Sequence, residues 1–255
     1  MLLTIDVGNT NTSFCVFENN KIVDRFSVSS DIKKTSDEYG AIIFGILSQK
    51  KLSEKIKNVA ISSVVLPLDD ILDEAIKKYL KISAFKISHK INLPFNIAID
   101  SPKELGADRI ANAAYAVKNI KLPAIVIDFG TATTFDIIDE NKCFIGGLIA
   151  PGVKIQAQSL TKFTSKLPKL KVESAKTAIA KNTIDAMLAG VVLGHSCMID
   201  GMLELTEKEL GQKSTVVACG GYSEILYSKV KRKFDFIEKD LTHLGIKYLW
   251  EFNHV

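Results

Sequence analysis

The sequence predicts an α/β protein built as two duplicated halves, and three observations carry that prediction. A phrase occurs twice, as LLTIDVGNTNTSFCVF at Leu2 to Phe17 and as AIVIDFGTATTFDII at Ala124 to Ile138. Each copy is an apolar β-type run ending in aspartate, then a turn of Gly, Thr and Asn or Ala, then a second apolar run. After each copy, segments of strand character alternate with segments of helical periodicity.

The two turns have the chemistry of a phosphate-holding tip. Asp6 and Asp128 each end a strand, where a carboxylate can face a cavity and hold a metal ion or its waters. Gly8 and Gly130 follow two residues later, allowing φ > 0 or close backbone approach to a ligand. Asn9, Thr10, Asn11, Thr12 and Ser13 in the first copy, and Thr131, Thr133 and Thr134 in the second, supply neutral donors. Backbone N–H groups in such a turn, with hydroxyls beside them, can cradle an anion without any lysine. A single DxG turn rich in Thr and Asn is also ordinary turn chemistry. The second copy changes the balance. At an offset of 122 positions (6 to 128), Asp6 meets Asp128, Gly8 meets Gly130 and Thr12 meets Thr134, as duplicated halves facing one nucleotide would have it.

A chain of 255 residues with 47% hydrophobic content has ample core for one large domain or two moderate ones. The hairpins open the two halves, so the expected domains are residues 1–118 and 119–255, hinged at a short linker near Asn119 to Pro123. Thirty-three Lys and Arg against 29 Asp and Glu leave a dispersed charge of +4. A basic stripe interleaved with aromatics is missing, so no nucleic-acid partner is expected. Cys15, Cys143, Cys197 and Cys219 are far apart, with no CxxC pair, which argues against zinc and disulfides and for free thiols in a reducing cytoplasm. His89, His195, His243 and His254 have no evident partner in sequence, and His195, in the apolar stretch GVVLGHSCMID, reads as a satisfied core histidine. The N-terminus enters a strand directly, so no signal peptide is expected, and no uninterrupted apolar run reaches the roughly 18 residues of a membrane span.

The elements follow in order. After the first hairpin, KIVDRFSVS reads as a third strand and SDEYGAIIFGILSQKK as an amphipathic helix capped by Ser36. NVAISSVV is a buried strand, and DDILDEAIKKYLK a helix with acids in its first turn and lysines in its last, as the macrodipole prefers. In SPKELGADRIANAAYAVKN the small residues Ala107, Ala111, Ala113 and Ala114 suit a helix packed tightly on a neighbour. The second half repeats the theme. A third strand lies at CFIGGLIA, a long helix runs from about Thr183 to Gly211, and strand STVVACGG, helix SEILYSKVKRK, short strand FDFIE and terminal helix LTHLGIKYLWEF follow. Three antiparallel strands leading into alternating helices and strands, twice over, indicate two duplicated ribonuclease H-like domains, the actin-like arrangement of the ASKHA superfamily.

DVGNTNTS, PKELGADR, DFGTATTFD, GGLIAPG and ACGG, in this order and at these distances, closely resemble type III pantothenate kinases over Leu3 to about Gly221. DxGxT alone is common to sugar kinases and actins, whereas GADR followed by DFGTATT and GGLIAPG is much narrower. The resemblance implies ATP-dependent phosphorylation of pantothenate to 4′-phosphopantothenate, the first committed step of coenzyme A synthesis, by a cytoplasmic homodimer. It implies that Asp6, Val7, Gly8, Asn9, Thr10, Asn11, Thr12 and Ser13 form the first phosphate loop, with Asp6 positioning the Mg2+ that accompanies ATP. Thr131 would contact ATP, and Asp128 would help bind a monovalent cation, K+ or NH4+. Gly106, Ala107, Asp108 and Arg109 would contact pantothenate, with Asp108 as proton acceptor, and Thr183 would approach the substrate from the partner subunit, placing the substrate site at the dimer interface. Gly220 and Gly221 would let the backbone pass close to the adenosine, and GGLIAPG would lie at or near the dimer interface.

These roles also make physical sense. Phosphoryl transfer leaves the protein mainly with positioning and charge neutralisation, so metal ions, oriented N–H groups and one base are a sufficient kit. At the start of a helix, Asp108 would be stabilised as an anion and could accept the hydroxyl proton. Arg109 could pair with the pantothenate carboxylate or with phosphate, its planar fork suiting either. The sequence departs from the family at Ile99, a substrate-pocket position where many members carry tyrosine, and at Cys219, where threonine is common. Two other classes stay open. One is a sugar- or acetate-type kinase of the same superfamily, which should have a larger domain and no GADR. The other is a non-catalytic nucleotide-binding regulator of the Bvg accessory factor type, which would have no need of the base and should show an added basic helix.

Overall fold

The computed structural model describes residues 1–254. Contacts divide the chain into two compact units, Met1–Lys118 together with the chain from Leu241 on, and Asn119–Asp240. In the first unit β1 (Leu2–Val7), β2 (Asn11–Glu18) and β3 (Lys21–Ser29) form an antiparallel meander. Helix α1 (Ser36–Gln49) leads to β4 (Asn58–Ser63), which returns parallel to β1, and α2 (Leu66–Leu80) leads to β5 (Phe85–Lys86). The sheet order is β3-β2-β1-β4-β5. β6 (Asn96–Ile97), a 3₁₀ turn at Pro102–Glu104 and α3 (Ala107–Asn119) follow.

The residues explain the layering. β1 lies inside the sheet with helices over it, so Leu3, Ile5 and Val7 are buried with Thr4 between them, and the run is continuously apolar rather than alternating. Edge strand β3 alternates exposed and half-buried positions instead. Leu3, Ile5, Phe14 and Val16 meet Ile43, Leu47, Leu68 and Leu72 of α1 and α2 to form the core.

The second unit repeats this plan. β7 (Ala124–Phe129), β8 (Ala132–Ile138) and β9 (Cys143–Pro151) form the meander, and α4 (Val153–Lys162) follows. Helix α5 (Thr183–Leu188), a π-helical segment (Ala189–Leu193) and α6 (Gly194–Leu210) run on to β10 (Thr215–Cys219), α7 (Ser223–Tyr227) and β11 (Phe236–Ile237). The strands run β11-β10-β7-β8-β9, the same layout as the first sheet, with β10 parallel to β7. The bulges match as well, one between Val16 and Phe17 and the other between Ile137 and Ile138. Two duplicated halves are therefore visible in topology as well as in sequence.

Four expectations change in detail. Thr35, not Ser36, caps α1: its Oγ1 accepts the Glu38 N–H at 3.2 Å, while Glu38 Oε2 accepts the Thr35 N–H at 2.8 Å, a reciprocal capping box. The segment SEILYSKVKRK is helical only over Ser223–Tyr227, because the N–H groups of Lys231 and Arg232 turn to the Asp200 carboxylate at 2.9 and 3.0 Å instead of continuing a helical ladder. The helix expected from Thr183 to Gly211 contains the π segment and stops where Gly211 adopts φ +69°. By length and composition, Thr183–Leu210 could cross a membrane, but half of its apolar window is buried in the unit, through residues such as Val191, Val192, Ile199 and Leu203.

The last change concerns the terminal helix α8 (Leu241–Asn253), expected with the second half. It packs in the first unit. There the His243 ring meets Thr4 Oγ1 at 2.8 Å and Ser13 Oγ at 3.0 Å, and Thr242 Oγ1 donates to Asn112 Oδ1 at 2.9 Å. The small residues of α3 find their neighbour here. A Cβ on Gly245 of α8 would overlap the carbonyl oxygen of Ala111, so the two helices touch backbone to backbone. Gly245→Ala is therefore expected to destabilise the protein by about 1–3 kcal/mol, the usual range for overpacking, as read from a lower denaturation midpoint at unchanged slope.

Candidate active site

At the first tip the strand register sets Asp6 opposite Ser13 and Val7 opposite Thr12, leaving residues 8–11 to turn the chain. The turn closes with Gly8 N–H donating to the Asn11 carbonyl at 3.1 Å, and a Cβ on Gly8 would press on that same carbonyl at 3.2 Å. Ser30, just past β3, holds the turn from outside. Its Oγ donates to the Gly8 carbonyl at 2.6 Å, which leaves it to accept from Thr12 Oγ1 at 2.9 Å. Its backbone N–H also donates to the Thr10 carbonyl at 3.0 Å.

Side chains around this tip divide sharply. Asn9, Thr10 and Asn11 are exposed, and Asp6 is half-buried at the end of β1. Val7 and Thr12 are fully buried, and the Ser13 hydroxyl is engaged by His243. Of the residues from Asp6 to Ser13, Val7, Thr12 and Ser13 thus give the loop backbone and bracing, while the outward polar side chains come from Asn9, Thr10 and Asn11.

The GADR segment lies beside this tip. β4 runs parallel to β1 with Ser62 opposite Asp6, and Val64 N–H donates to the Val7 carbonyl at 3.1 Å. Gly106 rests on Val64, where an added Cβ would come within 3.3 Å of Val64 Cγ1 and 2.5 Å of Asp108 Oδ1. Ala107 is buried, and Asp108 and Arg109 are half-buried in the first turn of α3. Asp108 Oδ1 accepts the Arg109 N–H at 2.7 Å. Burial pushes the Asp108 carboxyl above the ordinary aspartate range, outweighing that hydrogen bond and the Arg109 charge, which both act downward. The helix N-terminus therefore does not make Asp108 the strong anion that its position in sequence suggests. Ile99 is half-buried in the stretch before the 3₁₀ turn.

In the second unit Asp128 pairs with Thr134 and Phe129 with Thr133, so the turn holds only residues 130–132. That is one residue fewer than at the first tip. Thr12 consequently corresponds to Thr133, at an offset of 121 (12 to 133), and not to Thr134; the matching bulges follow the same offset. Thr133 is buried like Thr12, and its Oγ1 lies 3.0 Å from His195 Nε2. Gln156 Nε2 donates to the Pro151 carbonyl at 2.8 Å and lies 2.8 Å from His195 Nδ1. Since the carbonyl identifies that atom as the amide nitrogen, Nδ1 must accept and Nε2 must carry the proton. Burial lowers the His195 pKa to about 4, keeping the ring neutral, so it is the satisfied core histidine that its apolar surroundings predicted.

Two glycines fix this second tip. Gly152 N–H donates to the Thr131 carbonyl at 3.1 Å, and a Cβ on Gly152 would overlap that oxygen. Gly220, at φ +86°, lies so close to the end of β7 that a Cβ would stand 2.6 Å from the Phe129 carbonyl and 2.7 Å from Asp128 Oδ1. Gly221 has open space around it. Asp128, Thr131 and Gly220 are thus brought together, whereas Thr183 stands apart, exposed at the start of α5 behind the Asn182 cap. Sequence reasoning missed Ser30, Gly152, Gln156 and the role of His243; only Gly152, at the end of GGLIAPG, left a visible trace.

The raised Asp108 pKa has a stability consequence. When the folded value exceeds the unfolded value near 3.9, the native state takes up the proton first as pH falls, so native stability at neutral pH carries the burial cost of the anion and regains it on acidification. Asp108→Asn removes that cost. The variant is expected to melt above the parent at neutral pH, the gap closing as pH falls through the raised value toward about 4. A gap independent of pH in calorimetry would contradict this. Gly106→Ala should displace the Asp108 carboxyl and cut turnover while leaving melting within a few degrees, measurable by steady-state kinetics beside a thermal scan.

A family model described as type III pantothenate kinase matches residues 2–205. A type III pantothenate kinase of Syntrophus aciditrophicus is 37% identical over 254 residues, covering 99% of this chain and 100% of that protein. One of Bacillus cytotoxicus is 36% identical over 256 residues, covering 100% and 97%. Among solved structures, a Campylobacter jejuni protein described as a Baf family transcriptional activator aligns over 98% of both chains with a TM-score of 0.62 and 22% identity. A Sinorhizobium meliloti protein described as a 2-dehydro-3-deoxygalactonokinase aligns over 98% and 96% with a TM-score of 0.65 and 9% identity. At those identities the structural likeness is one of fold, the duplicated actin-like fold of sugar kinases. With a family model spanning most of its length and relatives matched from end to end, the chain belongs to the type III pantothenate kinase family.

Proposed function

We propose that Asp108 accepts the hydroxyl proton as pantothenate takes the γ-phosphoryl group of ATP. The reaction itself, giving 4′-phosphopantothenate for coenzyme A synthesis, follows from the family. The observation that carries the residue assignment is the half-buried Asp108 carboxyl, held at the head of α3 by the Arg109 N–H and raised in pKa by burial. A base works best when its pKa approaches the operating pH, and burial moves Asp108 in that direction.

The remaining roles are those the family resemblance implies, with the local geometry in support. Arg109, next to Asp108, supplies a planar cation for the pantothenate carboxylate or for phosphate. Gly106 and Ala107 form the wall beside it, and Ile99 offers an apolar surface without a hydroxyl. Asn9, Thr10 and Asn11, with the N–H groups of their turn, receive the ATP phosphates. Asp6 suits Mg2+, which prefers one or two carboxylates together with phosphate and water. Bound there, the ion would neutralise phosphate charge. In the second unit Thr131 contacts ATP and the Asp128 carboxylate serves a monovalent cation, K+ or NH4+. Gly220 is needed for packing against β7, so contact with the adenosine falls to Gly221, which has open space beside it. Thr183, exposed at the start of α5, completes the substrate site of the partner in a cytoplasmic homodimer that takes neither nucleic acid nor membrane as a partner.

The test is purified protein with ATP, magnesium and potassium, offered pantothenate and a panel of other small alcohols. Pantothenate should be the preferred acceptor, and Asp108→Asn should lower turnover by about 100- to 10,000-fold, the usual worth of a general base. No product from any alcohol, or full activity in the variant, would overturn the assignment. Replacing potassium by sodium should depress activity if Asp128 serves the cation, and unchanged rates would remove that role.

A further inference from the structure

The first sheet divides its strand residues between two faces. Leu3, Ile5 and Val7 of β1 pack in the core with α1 and α2, together with Phe14 and Val16 of β2 and Val59 and Ile61 of β4. Thr4 and Asp6 belong to the opposite face, since successive residues of a strand alternate and register partners on neighbouring strands share a face. Asp6 therefore has Ser13 on one side and Ser62 on the other, from strands about 4.8 Å away. Helix α8 packs over this face, with His243 reaching Thr4 and Ser13.

Ser62 differs from the groups around it. It is buried at 0% exposure, and its Oγ has no hydrogen-bond partner. Among the described residues it is the one hydroxyl in that condition, the other such atoms being oxygens of Asp24 and Asp69. Neighbouring hydroxyls are engaged: Thr4 and Ser13 by His243, and Ser63 Oγ by the Val65 N–H at 3.2 Å. A buried hydroxyl without a partner costs about 1–3 kcal/mol. Ala60, two residues earlier on the same face, fills its place without that cost. Serine at position 62 thus weakens the fold unless a hydrogen bond formed on ligand binding offsets it. The group beside it in register is the Asp6 carboxylate. A carboxylate has about four lone-pair sites on its two oxygens, so it can present one oxygen to an ion and accept a hydroxyl on the other. Carboxylates that ligate metals are commonly held in this way, and removing the holding group costs about 10- to 100-fold in metal affinity or activity.

We infer that Ser62 is a positioning residue for the metal: on metal binding its hydroxyl donates to the Asp6 carboxylate and fixes the oxygen that faces the ion. The inference rests on the proposed role of Asp6 toward Mg2+. The experiment measures, by calorimetry, the affinity of the full chain for a non-hydrolysable ATP analogue, once with Mn2+ in place of Mg2+ and once with EDTA. The ratio of the two affinities reads the coupling to the metal. Ser62→Ala should cut that ratio about tenfold while leaving the affinity in EDTA as it was. The variant should also melt at or above the parent, because the unpaired hydroxyl is gone. Ser62→Cys, similar in size and a weak donor, should lower the ratio in the same way and serves if alanine disturbs packing. Asp6→Asn should cut the ratio at least as far, and Ser62→Ala added to it should cost nothing more, because the hydroxyl acts through the carboxylate. If Asp6→Asn loses the metal dependence while Ser62→Ala and Ser62→Cys keep it, the inference is wrong and the role of Asp6 stands. Additive losses in the double variant would also overturn the inference, since Ser62 would then act apart from Asp6. An unchanged ratio in Asp6→Asn would remove both assignments.

Discussion

Backbone lying directly on backbone at Gly152 and Gly220 is the constraint from which the second tip takes its shape. The Thr131 carbonyl occupies the place of a Gly152 side chain, and the Phe129 carbonyl and Asp128 carboxylate occupy that of Gly220. Contacts of this kind do not depend on rotamers. The turn that carries Thr131 is therefore held from both flanks, by β9 running into α4 and by the chain leaving β10, before any ligand arrives. Phosphoryl transfer gains from such preorganisation because dipoles already in place need no reorientation as charge moves. Gln156 and His195 extend the bracing inward: a carbonyl, an amide, an imidazole and a hydroxyl run in one chain from Pro151 to Thr133, each atom having a defined role as donor or acceptor.

The first tip reaches a similar result with different parts. Hydroxyls do there what glycines do in the second unit, with Thr12 donating to Ser30 and Ser30 to the Gly8 carbonyl. A histidine again stands behind the hairpin, but it comes from α8 at the far end of the chain and engages Ser13 and Thr4. Duplication preserved the sheet order and even the bulges, while each tip acquired its own supports. That divergence leaves two tips of the same topology with different side chains behind them.

Most of the architecture was legible in the sequence because it rests on periodicity and on the repeated phrase. Continuous apolar strands, the amphipathic α1 and α2 and the small-residue face of α3 all state their environments directly. Distant partners were not legible. Nothing near His243 in sequence marks it as a neighbour of Thr4, and nothing in α8 announces the first unit, since Gly245 acquires meaning only against Ala111. The offset of 122 positions described the aspartates and glycines correctly but failed beyond the turn, where a one-residue difference in length moved the match from Thr134 to Thr133. Asp108 stands out through its motif, whereas the direction of its pKa does not. Helix position alone speaks for a stabilised anion, whereas burial, which no local pattern reports, decides the sign.

The π segment at Ala189–Leu193 ties the long helix to the second tip. A π turn holds one residue more than the α turn it replaces, so it shifts the angular phase of everything downstream by about 100°. His195 sits two residues beyond it and meets Thr133 and Gln156 only in that shifted phase. Shortening the segment by a single residue would leave a smooth helix whose histidine points elsewhere. The irregularity is thus a setting of rotational register, and through it the aim of one imidazole, and with it the seat of the second hairpin, is recorded in the count of residues along a helix.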